Sequence, residues 1–215
     1  MNISIRLNSI ASLINANESI VDIGCDHGLI DIYLTLYKGC KCRACDVSFD
    51  IVSRAISNIK KYDLSDSIDV FVGNGYNDLK IDYNSTIILS GMGTSTILRI
   101  LKKNRSKSIV CQTNTAQFEL RKGICDMGYH IVSENIVFDN NRYYITVRFE
   151  AGKCDYSYDE YLLGPILIKE NSLAFRSYIE NLYQRNINGY NKCLYYNGNN
   201  VYYMDKFIKT LKKYI

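Results

Sequence analysis

The chain has 215 residues, 47% of them hydrophobic, and a formal net charge of +4. That is enough for one full core with a small appendage, and a chain this hydrophobic should fold. No apolar run approaches the roughly 18 residues of a membrane span, and no basic-then-apolar leader opens the chain, so a cytoplasmic protein is expected, with a monomer favoured. The weakly basic balance permits a polyanionic partner without demanding one. The eight cysteines fall mostly inside predicted strands and helices, as reduced buried thiols do. Cys40, Cys42 and Cys45 are close enough to consider zinc. They lack a second paired knuckle, and Cys45 lies on a predicted core strand, so no metal site is expected.

In chain order, Ile3, Leu7, Ile10 and Ile14 stand at helical spacing and predict an amphipathic helix over 3–16. Residues 19–23 are β-branched and apolar enough for a buried strand, and 28–36 place Leu29, Ile32, Tyr33 and Leu36 on one helical face. The pattern repeats as a strand over 41–46 and a helix over 47–61. Strands follow at 67–72, 86–90 and 108–112, with helices at 94–103 and 116–127. Repeated βα units imply a parallel sheet covered on both faces. Two long β-rich runs, 129–138 and 142–150, then flank the turn-forming Asp139-Asn140-Asn141, which predicts an antiparallel hairpin. The fold class is therefore α/β, a seven-stranded Rossmann-like sheet ending in a hairpin, which is by analogy the arrangement of class I methyltransferases. Beyond Gly164-Pro165, helices over 172–186 and 201–215 carry stripes that could zip into an antiparallel pair. This divides the chain into residues 1–155 and a helical extension, 156–215. Lys206, Lys209, Lys212 and Lys213 form the solvated side of the last helix, read as a solubility face ahead of an RNA contact.

The segment Asp22-Ile23-Gly24-Cys25-Asp26-His27-Gly28 is a strand-to-helix corner, where free helix N–H groups and bare glycine backbone admit a ligand. A dinucleotide loop needs Gly-x-Gly-x-x-Gly to seat a pyrophosphate, and that spacing is missing. An acidic loop suits a cation: Asp22 and Asp26 could meet the ammonium group of S-adenosylmethionine without opposing its sulfonium. Asp46, with Val47 after it, ends the second strand where an acid can bridge ribose hydroxyls. Gly73-Asn74-Gly75 could read an adenine edge, and Gly91-Met92-Gly93, followed by Thr94, offers bare backbone to substrate and donor. His27, opening a helix, is read first as a structural residue.

Together these pieces resemble one family, the bacterial tRNA adenine-22 N1-methyltransferases, or TrmK family. The resemblance rests on Arg6-Leu7, the Asp22–Gly28 loop, Gly91-Met92-Gly93, Gln112-x-Asn114 with Arg121, Glu134 and Tyr143, and Tyr158, Glu160 and Gly164-Pro165. It implies transfer of a methyl group from S-adenosylmethionine to N1 of an adenine in tRNA. Asp26 is then the catalytic candidate, and Arg6, Thr94, Asn114 and Arg121 are candidates on the substrate side. The chain departs from the family pattern at Asn74 (usually Asp), Thr94 (usually Gly) and Thr113 (usually Pro). Thr94 is expected to narrow the transfer site and Thr113 to loosen its backbone. Competing readings are a class I methyltransferase acting on another substrate and a non-catalytic RNA-binding module that keeps the fold. A dehydrogenase ranks below both.

Overall fold

A computed structural model of the protein describes residues 1–75, 81–103, 106–195 and 201–215, apart from the side chains of 193, 195 and 201. The Asn- and Gly-rich turn expected just before 201 lies outside these residues. Seven strands form one sheet in the order β3-β2-β1-β4-β5-β7-β6. They are β1 (Ser19–Ile23), β2 (Lys41–Asp46), β3 (Ile68–Val72), β4 (Thr86–Met92), β5 (Ser108–Thr113), β6 (Tyr129–Asp139) and β7 (Arg142–Ala151). The first five run parallel, and β7 enters antiparallel beside β5 and pairs with β6 as the predicted hairpin. Ile87, Ile88 and Leu89 of β4 are all fully buried, because helices cover both sheet faces and leave no solvent side to alternate with.

On one face, α1 (Ile5–Ser12), α2 (Leu29–Lys38) and α3 (Phe49–Lys61) enclose a core that includes Ile10, Ile20, Ile32 and Cys42. The Ser4 and Ser48 hydroxyls cap α1 and α3, accepting from the N–H groups of Leu7 and Ile51. The first helix is shorter than its apolar spacing predicts. It ends at Ser12, and the chain turns through Asn17 at φ 60 before β1.

The other face carries α4 (Thr94–Leu101), α5 (Gln117–Asp126), α6 (Tyr158–Leu163), α7 (Pro165–Glu170), α8 (Leu173–Tyr195) and α9 (Val201–Lys212). Helices α6 and α7 were not predicted, and α8 runs beyond the predicted end at 186. The last two helices do pair antiparallel. Tyr190 donates to Asp205 at 2.7 Å, and Lys212 sits over the Tyr183 ring. Leu163, Leu167, Phe175, Ile179 and Leu211 belong to the same buried cluster as Leu89 and Val147. Each such side chain contributes about 1.5–3 kcal/mol of burial, so these helices help to hold the sheet.

Candidate active site

The strand order reverses between β1 and β4, and the carboxyl ends of these strands open the crevice where α/β sheets bind ligands. Two cavities, of about 470 and 500 Å³, meet there and share Gly24, Asp46 and Met92. The first is lined by Asp22, Gly24, Cys25, Asp26, His27, Asp46, Gly91 and Met92 of the predicted set, together with Arg6 and Asn114. The second is lined by Asp46, Val47, Gly73 and Asn74. Residues expected from the sequence and its resemblance thus come from five strand ends and α1 to surround one cleft. Gly28, Gly75 and Gly93, expected to bind the cofactor, line neither cavity. Gly28 caps α2 in the left-handed region and packs against Ala55, Gly75 (φ +82) leaves no room for a Cβ beside Ile23, and Gly93 caps α4.

Gly24 is favoured by its backbone and lies against Met92. Its φ of +82 disfavours a side chain, and a Cβ there would collide with Met92 Cε. Beneath it, Asp22 is 1% exposed and its Oδ1 has no partner among the described residues. Asp31, on α2, is equally buried, and its carboxylate accepts a hydrogen bond from the protonated Asp22 carboxyl. Burial pushes Asp31 up to about 6. Burial, and then the neighbouring Asp31 charge, holds Asp22 well above the usual carboxylate range. An unpartnered buried carboxyl oxygen lining a cleft is costly unless a donor meets it. Asp26, exposed at φ 51, stands 3.5 Å from His27 Nε2, and the His27 carbonyl accepts from Asn58 on α3, which anchors the loop.

A polar chain crosses the mouth. Arg6 Nη1 donates to Gln112 Oε1 at 2.9 Å, Gln112 Nε2 to Asn114 Oδ1 at 3.2 Å, and Asn114 Nδ2 to the Gly91 carbonyl at 2.8 Å. The run of donors and acceptors sets the orientation of both amides. Gly91 lies at a register shift within the last residues of β4, between Ser90 and Met92, with φ +74.

Two substrate-side expectations are corrected. Arg121 is fully buried: Nε pairs with Glu134 at 2.8 Å, and Nη1 donates to the carbonyls of Tyr161 and Leu162 at the end of α6. Glu134 in turn accepts from the N–H groups of Ile166 and Leu167 at the start of α7. Arg121 is therefore a helix-junction residue, out of a substrate's reach. Thr94 is also buried, its hydroxyl donating to the Thr115 carbonyl at 2.6 Å and lying 3.0 Å from the Thr113 hydroxyl. It does not narrow the cleft. Nor is Thr113 a loosened point, because its hydroxyl bonds the Met92 and Thr115 carbonyls. Cys40 and Cys42 are buried, with their thiols directed at backbone carbonyls.

Arg142 and Tyr144 at the mouth, and Arg99, Lys102 and Lys103 beside the second cavity, are lining residues that were not anticipated. The two-residue period of β7 places positions 142 and 144 on one face, but only the sheet order aims that face at the cleft.

A family described as a methyltransferase domain matches residues 3–147. The Bacillus subtilis (strain 168) tRNA (adenine(22)-N(1))-methyltransferase is 27% identical over 187 residues, covering 81% of this chain and 79% of the relative. The chain belongs to the TrmK family of class I methyltransferases. Sp1610 of Streptococcus pneumoniae superposes on this TrmK-family chain with a TM-score of 0.92 at 26% identity, covering 99% of both chains. The same protein in complex with S-adenosyl-L-methionine gives 0.88 at 25% identity, again covering 99% of both. Mycoplasma capricolum TrmK, in complex with S-adenosyl-homocysteine, gives 0.86 at 26%, covering 99% of this chain and 97% of that one.

Proposed function

We propose that this TrmK-family chain transfers a methyl group from S-adenosylmethionine to N1 of adenine 22 in tRNA. The carrying observation is the buried Asp22 with its unpartnered Oδ1 beneath a cleft walled by Asp26 and Asp46. That surface suits a cationic amino-acid donor and opposes a diphosphate. When bound, S-adenosylmethionine supplies a sulfonium-activated methyl carbon. Asp22 and the Gly24 backbone hold the ammonium end, Asp46 accepts from the ribose hydroxyls, and Asn74 with Val47 receives the adenine. Residues 1–155 carry this chemistry, and 156–215 form the helical extension.

At the acceptor, N1 lies on the Watson–Crick edge, so the base must be unstacked to reach the cleft. The work of the chain is then positional. Arg6, through Gln112, fixes Asn114, which in turn fixes the Gly91 carbonyl. The methylated ring gains positive charge, which the Gly91 carbonyl can stabilise by accepting a hydrogen bond, and the exposed Asp26 carboxylate is the group able to receive the N6 proton. Exposed Arg99, Lys102 and Lys103 on one side of the cleft and Arg142 on the other offer phosphate contacts. No helix among the described residues is long and apolar enough to cross a membrane.

The test is incubation with unmodified tRNA and methyl-labelled donor, followed by mapping of the labelled nucleotide. Label at N1 of adenine 22 is expected, and label elsewhere or none overturns the reading. Asn114→Ala should lower kcat about ten- to hundredfold with donor affinity kept, since it removes only the positioning of the acceptor side.

A further inference from the structure

A third cavity, of about 470 Å³, opens beyond Asn114, Arg142 and Tyr144, which it shares with the donor cleft. Its size falls in the range of small-molecule sites, about 300–1,000 Å³. It contains no residue of the 22–28 loop or of Gly91–Gly93, so it lies one step away from the point of transfer. Two aromatic pairs line it: Phe118 with Tyr158, ring centroids 5.3 Å apart, and Tyr143 with Tyr178, 5.4 Å apart. All four rings are only half-buried, an unusual concentration of aromatic surface for a water-filled groove. Gln117 also lines it, and its buried Oε1 has no hydrogen-bond partner among the described residues. Cations stand at the rim. Lys206 Nζ is 3.9 Å from the Tyr158 ring centroid, and Arg142 is exposed.

We propose that this cavity receives a second unstacked base of the RNA, from a nucleotide next to the methylated adenine. Aromatic walls stack any base, an unsatisfied amide oxygen accepts from a ring or exocyclic N–H, and the rim cations face the connecting phosphates. Continuity with the donor cleft through Asn114, Arg142 and Tyr144 makes a neighbouring nucleotide the fitting occupant. The proposal rests on the tRNA methyltransferase reading and extends it: the enzyme opens a short stretch of RNA, with the target base in one cavity and its neighbour in the next.

The experiment is a double-mutant cycle on kcat/KM. Tyr158→Leu and Tyr178→Leu keep apolar volume and remove the aromatic face, and calorimetry of donor binding verifies that each variant is folded. Each is assayed on intact transcript and on transcripts made abasic at nucleotide 21 or 23. Either protein change on intact transcript, and the abasic change at the correct neighbour, should each cost roughly five- to hundredfold. Combined, they should cost no more than one alone, because both delete the same contact. Losses that multiply at both nucleotides, or protein changes without effect, overturn the second-base pocket. Absence of methylation by the native chain on intact transcript would sink the parent reading as well, so the two failures are told apart in one assay.

Discussion

At the scale of single residues, the Asp22–Asp31 pair makes a prediction whose sign can be worked out. Both folded-state values lie above those of an unfolded chain, Asp31 at about 6. The contribution of each carboxyl to stability is therefore fully present below about pH 4 and is lost as pH rises, for Asp31 through about 6. Asp31→Asn keeps the shape of the protonated acid and removes one buried charge. It should raise the thermal midpoint at pH 8 by several degrees, on the order of 2 kcal/mol, and change it little at pH 4. Equal midpoint shifts at both pH values in calorimetric scans would contradict this. Under the proposed function, the same substitution also removes the Asp31 charge that adds to burial in holding Asp22 up, so donor affinity should rise most above about pH 6, where Asp31 is ionised. On that same proposed function, Asp46→Ala tests a different contact: loss of two ribose hydrogen bonds to a charged acceptor should weaken donor binding at least tenfold in titration calorimetry.

At the scale of elements, the junction of α6 and α7 is the clearest case of a buried charge organising backbone. Arg121 satisfies the last carbonyls of α6, and Glu134 satisfies the first N–H groups of α7. Gly164 stands between the helices at φ +99, where a Cβ would come within 2.5 Å of the Glu134 carboxylate. Removing one partner strands the other in a site that water does not reach. Arg121→Met should cost about 3–5 kcal/mol in denaturant unfolding. Arg121→Met with Glu134→Leu should recover part of that loss, which a substrate-contact role for Arg121 would not predict. Both short helices also have signals in the sequence. Ser157-Tyr158-Asp159-Glu160 is a capping box with both reciprocal bonds formed, and Pro165 takes the first position of α7. These pieces span only six residues each, too few turns for an apolar stripe to be read.

At the scale of the whole molecule, the C-terminal helices are bound into the main core. Deleting residues 166–215 would strip Leu167, Phe175, Ile179, Ile208 and Leu211, together worth on the order of 10 kcal/mol, comparable to the entire stability of a typical domain. The truncated chain should show no cooperative unfolding transition by circular dichroism. Apart from Lys206, the lysines at the C-terminus are engaged locally: Lys209 pairs with Asp205, Lys213, just past α9, pairs with Asp159, and Lys212 lies over the Tyr183 ring. Under the proposed function, Lys209→Ala with Lys213→Ala should leave the salt dependence of tRNA binding nearly unchanged. Lys102→Ala with Lys103→Ala should flatten the slope of log affinity against log salt by about 1–2.

The sequence by itself determined the order of the seven strands and of the helices between them, the closing hairpin and the acidic loop after β1. These rest on local period and on residue types whose backbone preferences survive any packing: glycines at positive φ, serines at caps and β-branched strands. Asp22, Gly24, Asp46 and Met92 were legible because each ends or follows a strand in a parallel sheet, and such ends share one edge. Only the tertiary structure decided which polar residues face that edge. Arg121 and Thr94 carry side chains suited to a substrate, yet they are buried because α6 and the loop after β5 close over them. Arg142 and Tyr144 reach the cleft because β7 inserts between β5 and β6, a long-range pairing that leaves no mark on local spacing.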